Sequence, residues 1–95
     1  MKENNYNGYT NYCTWAAALW LDNEESTYKY FRGLIAEIRQ EETDENEQKY
    51  RLENAIREFT EENGPKIPAS VYSDLLGFAM QEINYYEIAC NMLED

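Results

Sequence analysis

Histidine is absent from this 95-residue chain. That removes the usual general base at neutral pH, the commonest transition-metal ligand and every nucleophile that depends on an imidazole. Cysteine is nearly as scarce: Cys13 and Cys90 are the two thiols, one near each end. With no histidine and no Cys-x-x-Cys spacing they do not make a zinc site. A two-thiol chain of this kind is expected to be reduced, not a disulfide scaffold. Apolar runs are short. The longest, Trp15 to Leu21, falls far below the roughly 20 residues of a membrane span. The opening Met1-Lys2-Glu3-Asn4-Asn5-Tyr6 has no apolar stretch behind Lys2, so no signal peptide is expected. Cations are few, with eight Lys and Arg against nineteen acids and a net charge of -11. Such a surface repels phosphate, so neither direct nucleic-acid binding nor an anionic membrane is expected.

What is present is apolar and aromatic material. Hydrophobic residues make up 43% of the chain and aromatics 15%, including nine Tyr and two Trp, too much for a disordered acidic tail. Periodicity is helical almost throughout and strand alternation is nearly missing. Thr10 or Asn11 caps a first helix, whose expected buried face is Tyr12, Trp15, Ala16 and Leu19, widened by Trp20 and Leu21. Asp22-Asn23 turns the chain. A second helix, from Glu24 or Ser26 to Gln40, carries the stripe Tyr28, Phe31, Leu34, Ile35 and Ile38. Gly33 inside it is expected to mark a close helix crossing. Thr43 or Asp44 caps a third helix on Leu52, Ala55, Ile56 and Phe59, with Tyr50 at its edge, and Gly64-Pro65 stops it. Pro68 restarts the chain, and Val71, Leu75, Phe78 and Ala79 give a fourth buried face. Asn84-Tyr85-Tyr86-Glu87 has the form of a capping box and opens a fifth helix on Tyr85, Ile88, Ala89, Met92 and Leu93. The expectation is an all-α, compact single domain of four to five short helices over residues 1–95, with residues 1–9 as a flexible segment.

No constellation points to chemistry. The run Glu41 to Glu47 holds five acids in seven residues but lacks the alternation and central glycine of a calcium loop, so it reads as a solvated helix start. Nothing singles out a carboxylate pair for glycoside hydrolysis. No enzyme, no cofactor and no metal is expected. Cys13 and Cys90 read as small core hydrophobes, or as thiols that meet under oxidation if the termini converge. Four acids have a base one turn on: Glu25–Lys29, Glu45–Lys49, Glu47–Arg51 and Glu53–Arg57. These pairs largely neutralise themselves. The excess is left on Glu41, Glu42 and Asp44 and on Glu58, Glu61 and Glu62, and these six with Glu45 form the candidate acidic binding face. Glu58 and Glu62 stand one turn, about 6 Å, apart, near the spacing of phosphates along a strand. A separate aromatic contact patch is expected from Tyr6, Tyr9, Tyr85 and Tyr86.

The segment Asn7-Gly8-Tyr9-Thr10-Asn11-Tyr12-Cys13-Thr14-Trp15-Ala16-Ala17-Ala18-Leu19-Trp20-Leu21-Asp22-Asn23-Glu24 resembles a family of small proteins of phages, plasmids and other mobile elements. Its signature is Asn-Tyr-x-Thr-Trp-x-x-x-Leu-Trp-Leu/Ile-Asp-Asn, matched here by Asn11, Tyr12, Thr14, Trp15, Leu19, Trp20, Leu21, Asp22 and Asn23. The closing Ile83-Asn84-Tyr85-Tyr86-Glu87-Ile88-Ala89 is similar to the family's tail. Cys13 stands where that family has Glu, so no role resting on that acid carries over. The resemblance implies a cytoplasmic protein of a bacterial host cell that comes from a mobile element. By analogy with small acidic proteins of such elements, the expected function is inhibition of a nucleic-acid-targeting defence system, of anti-CRISPR or antirestriction type. The two acidic sets would act as phosphate surrogates in the basic groove of a defence nuclease or CRISPR effector. The alternative expectation is an adaptor or regulatory protein that binds a protein partner, or itself as a homodimer, through the aromatic patch.

Overall fold

The computed structural model describes residues 6–94. The fold is all-α: α1 (Tyr12–Asn23), α2 (Glu25–Glu41), α3 (Glu45–Asn63), α4 (Val71–Gln81) and α5 (Tyr85–Glu94). Local chemistry sets the ends. The Asn11 carboxamide accepts the Thr14 N–H at 2.8 Å and starts α1, and the Asp44 carboxylate accepts the Asn46 N–H at 2.8 Å and starts α3. Glu24 closes α1 and caps α2 at once. Hydrogen bonds from the Ser26 hydroxyl and from the Thr27 N–H and hydroxyl hold its carboxyl below the ordinary range. Gly64 ends α3 in extended backbone, not the left-handed form, so the stop comes from Pro65, which disfavours helical geometry in the residue before it.

The core forms where the stripes of α2, α3 and α5 meet. Phe31, Ile35 and Ile38 of α2, Leu52 and Ile56 of α3 and Ile88, Ala89 and Met92 of α5 form one buried cluster with Ala18 and Leu21 of α1. α5 lies chiefly along α3, and two arginines of α2 tie down its far end. Arg32 donates to the Met92 carbonyl at 2.9 Å, and Arg39 to the Leu93 carbonyl. These are among the last carbonyls of α5, which lack helical partners and carry the negative end of the helix dipole.

Three expected features differ in the structure. The buried face of α1 is Thr14, Ala18 and Leu21, while Tyr12, Leu19 and Trp20 are exposed. α1 is apolar nearly all round, so its periodicity does not select a face. Tyr28 lies outside the core, with the Arg32 guanidinium 5.6 Å from its ring centre. Gly33 marks no crossing: among the described residues, nothing lies within 4 Å of the Cβ an alanine would add. Gly33→Ala is therefore expected to stabilise the domain by about 0.5–1 kcal/mol, read as a higher urea midpoint with an unchanged slope.

The stretch expected as a flexible segment is, over residues 6–9, a tight turn. Asn7 and Gly8 both take positive φ, 52° and 94°, the geometry that favours Asn-Gly in two-residue turns. The Tyr9 N–H donates to the Tyr6 carbonyl at 3.0 Å, and the Tyr9 ring packs on the core. Residues 1–5 of that expected segment lie outside the described residues.

The two ends of the chain clasp each other. Asn84 accepts the Glu87 N–H at 3.0 Å, half of the expected capping box. The other half is rerouted: the Glu87 carboxylate takes the Thr10 N–H at 3.1 and 3.2 Å, and the Asn84 N–H donates to the Thr14 hydroxyl at 2.9 Å. Asn11 adds a bond from its side-chain amide to the Glu82 carbonyl at 2.9 Å. The turn between α4 and α5 is thus pinned to the start of α1.

Candidate protein-binding face

α4 is a well-specified helix with an uncovered surface. Ser70 caps it: its hydroxyl accepts the Ser73 N–H at 3.2 Å, and the Ser73 hydroxyl accepts the Ser70 N–H at 2.9 Å. This reciprocal pair sets the start of the helix without help from packing. Every residue of α4 keeps at least part of its surface. The expected buried face is turned outward, with Val71, Leu75 and Phe78 61%, 63% and 64% exposed and Tyr72 beside them at 72%. The side chains turned toward the body are those on the opposite side, Leu76 and Met80. An eleven-residue helix that is apolar on two sides can turn only one toward the body, and here it is the smaller.

Under α4 lie two apolar clefts that share Thr60, Gly64 and Met80. One, of about 330 Å³, runs between Ala17 and Trp20 of α1 and Phe59 of α3. The other, of about 320 Å³, is bounded by Pro65, Ile67 and Leu76. Trp20, 72% exposed, stands at the rim of the first. Val71, Tyr72, Leu75 and Phe78 together expose on the order of 500 Å², within the range of the largest apolar patches found on monomers. Covering that surface at about 25 cal/mol per Å² is worth on the order of 12 kcal/mol before the costs of association.

The model of one protein family matches residues 2–95, all five helices included. The chain belongs to that family, a family of unknown function (DUF7249). No curated protein and no solved structure matches it.

The structure divides the acids singled out from the family member's sequence. Glu41 is ion-paired with Arg51 at 2.8 Å, so it is not part of the unpaired excess. Glu42 accepts the Asp44 N–H at 3.1 Å, and Asp44 is the cap of α3. Glu45 is the first residue of α3, at the positive end of its dipole. Glu58, Glu61 and Glu62 are exposed in its last turns, with no ion-pair partner among the described residues. Glu45 and Glu62 are about 25 Å apart along the axis, so the two sets are separate patches. Of the four expected one-turn pairs, Glu25–Lys29 and Glu53–Arg57 close, at 3.1 and 3.0 Å. Arg51 reaches back across the α2–α3 turn to Glu41 instead of joining Glu47, and Glu45–Lys49 does not close among the described residues.

The four tyrosines do not form one patch. Tyr85 is only 7% exposed and belongs to the core. Burial, followed by the charge of Glu61, raises its hydroxyl above the ordinary tyrosine value, and Arg57 over its ring opposes the rise. Tyr9 is half-buried. Tyr6 packs edge-on against Tyr12 of α1 at 6.0 Å, whereas Tyr86 packs against Tyr50 of α3 at 5.8 Å. Tyr85 and Tyr86 are neighbours on a helix, so their side chains leave it in different directions. Cys13 and Cys90 are half-buried free thiols, and a hydrogen bond with Cys90, with burial adding to it, raises the Tyr86 hydroxyl.

Sequence reasoning missed the site on α4 itself. The available signal was its second apolar side: Leu76 and Met80 lie opposite Val71, Leu75 and Phe78 on a helix too short to bury both.

Proposed function

We propose that this protein is a non-enzymatic binding module that engages a protein partner through the outward face of α4. The observation that carries the reading is the row Val71, Leu75 and Phe78, exposed on a helix whose start is set by its own capping box. Such a row, read at i, i+4 and i+7, is how amphipathic helices and their grooves recognise each other. The test is a tagged-protein capture compared with the Leu75→Asp/Phe78→Asp variant. Partners held by wild type are expected to be lost from the variant while its circular dichroism and melting curve stay unchanged. Equal recovery by both proteins refutes the α4 reading.

A second reading rests on Glu58, Glu61 and Glu62. They stand at the negative end of the α3 dipole, where acids cost stability, and no cation pairs with them among the described residues. It also rests on the mobile-element signature around Trp15 and Trp20. In this reading the protein acts in the bacterial cytoplasm as an anti-CRISPR or antirestriction inhibitor, and the acids occupy a groove that otherwise holds DNA or guide RNA. Charge reversal at Glu58, Glu61 and Glu62 would then abolish inhibition of a nucleic-acid-binding effector, and added salt would weaken it. The Leu75→Asp/Phe78→Asp variant would inhibit as well as wild type.

A further inference from the structure

Helix packing joins α3 to α5, α1 to α2, α2 to α3 and α1 to α5, and α4 closely to none of them. No side chain of α4 belongs to the buried cluster or packs against it. The side chains it turns toward the body are Leu76, still 37% exposed, and the half-buried Met80. Among the described residues, no hydrogen bond or ion pair joins residues 65–81 to another helix. The bonds of this segment are its own: the Ser70–Ser73 pair, and the Asp74 N–H on the Ser70 carbonyl at 3.1 Å. The helix α5 is of similar length but is tied at both ends, by Thr10 and Thr14 at one and by Arg32 and Arg39 at the other.

We infer that α4 is a lid. It undocks from the body as one unit while α1, α2, α3 and α5 stay folded, and it uncovers the apolar trough lined by Ala17, Trp20, Phe59 and Thr60. On one side the hinge is the exit from α3, where Gly64 is extended and residues 65–70 are exposed. On the other side Asn11 and Thr14 hold Glu82 and Asn84, so the movement stops at Glu82. Opening takes two partly covered side chains off the body and breaks no tertiary hydrogen bond, so it lies well below global unfolding. An undocked α4 does not stay helical, because isolated helices shorter than about 12–15 residues are marginal in water. Gly77 in its middle weakens it further, and nothing lies within 4 Å of the Cβ that alanine would add there. The backbone amides of α4 therefore exchange with solvent each time the lid opens. The lid stands or falls independently of what the outward row of α4 binds.

The test is native-state hydrogen exchange, followed residue by residue by NMR from zero to moderate urea. The amides of Leu75 to Met80 are expected to exchange at least about hundredfold faster than those of Leu52, Ile56 and Ile88, with little dependence on urea. The Asn84 amide, beyond the hinge, is expected to exchange at least about tenfold more slowly than those of α4. Ile56→Val weakens the core alone: it should speed the Leu52 and Ile88 amides about two- to twelvefold and leave those of α4 unchanged. Leu76→Ala/Met80→Ala should speed the α4 amides at least about tenfold, and Gly77→Ala should slow them about fivefold. Amides of α4 that match the core in rate and urea slope, or that speed with it in Ile56→Val, overturn the lid. So do α4 amides whose rate neither α4 variant changes. An Asn84 amide that exchanges as fast as those of α4 overturns the hinge at Glu82.

Discussion

Ile56→Ala is expected to lower the unfolding free energy by about 2–5 kcal/mol, whereas Leu75→Ala is expected to change it by less than about 0.5 kcal/mol. Both substitutions trim a branched aliphatic side chain on a helix to the same methyl. The difference is location: Ile56 has no exposed surface, inside the α2–α3–α5 core, and Leu75 is 63% exposed on α4. Removing Ile56 loses its transfer free energy and leaves a cavity that the rest of the buried cluster closes only partly. A domain of this size holds about 5–15 kcal/mol in total. At about 4–8 °C per kcal/mol, the melting temperature should fall by roughly 8–40 °C. Parallel urea melts of the two variants decide the matter. Equal midpoints would mean that α3 does not carry the core, or that α4 is covered in the isolated protein.

The second large effect is expected at Thr14, the buried polar side chain that joins the two ends of the chain. Its hydroxyl accepts the Asn84 N–H at 2.9 Å and lies 3.5 Å from the Glu82 carbonyl, which Asn11 also serves. Thr14→Val keeps the shape and removes the acceptor, leaving a part-buried N–H unsatisfied at a cost of about 1–2 kcal/mol. Thr14→Ser keeps the hydroxyl and loses a methyl in a packed site, so both variants melt earlier and stability alone does not separate them. Hydrogen exchange does: the Asn84 amide should exchange faster in Thr14→Val and near the wild-type rate in Thr14→Ser. Equal acceleration in both would remove the hydroxyl from the clasp and reduce Thr14 to a packing residue. Because Glu82 and Asn84 form the link from α4 to α5, the same experiment reports how firmly the α4 face is held to the body.

By itself the sequence determined where this chain is helical, to within about two residues at each end. Asn11, Glu24, Asp44 and Asn84 act within one turn of their own positions, as does Pro65, and local hydrogen-bond chemistry is complete in the sequence. It also determined the core faces of α2 (Tyr28 apart), α3 and α5, since each of these helices has one clear stripe and a charged or polar remainder. Only the tertiary structure decided which sides of α1 and α4 are covered. Both helices are apolar on more than one side, and a period names the faces of a helix without saying which one a distant segment will meet. The same limit governed charge. Arg51 had Glu47 one turn away, but the α2–α3 turn brought Glu41 within 2.8 Å. Tyr85 was legible as part of the α5 stripe, whereas the α3 side chain that Tyr86 packs against, Tyr50, was not. Local patterns are set by neighbours in the chain, whereas burial and exposure are set by helices that meet only after folding. The exposed row on α4 belongs to that second kind.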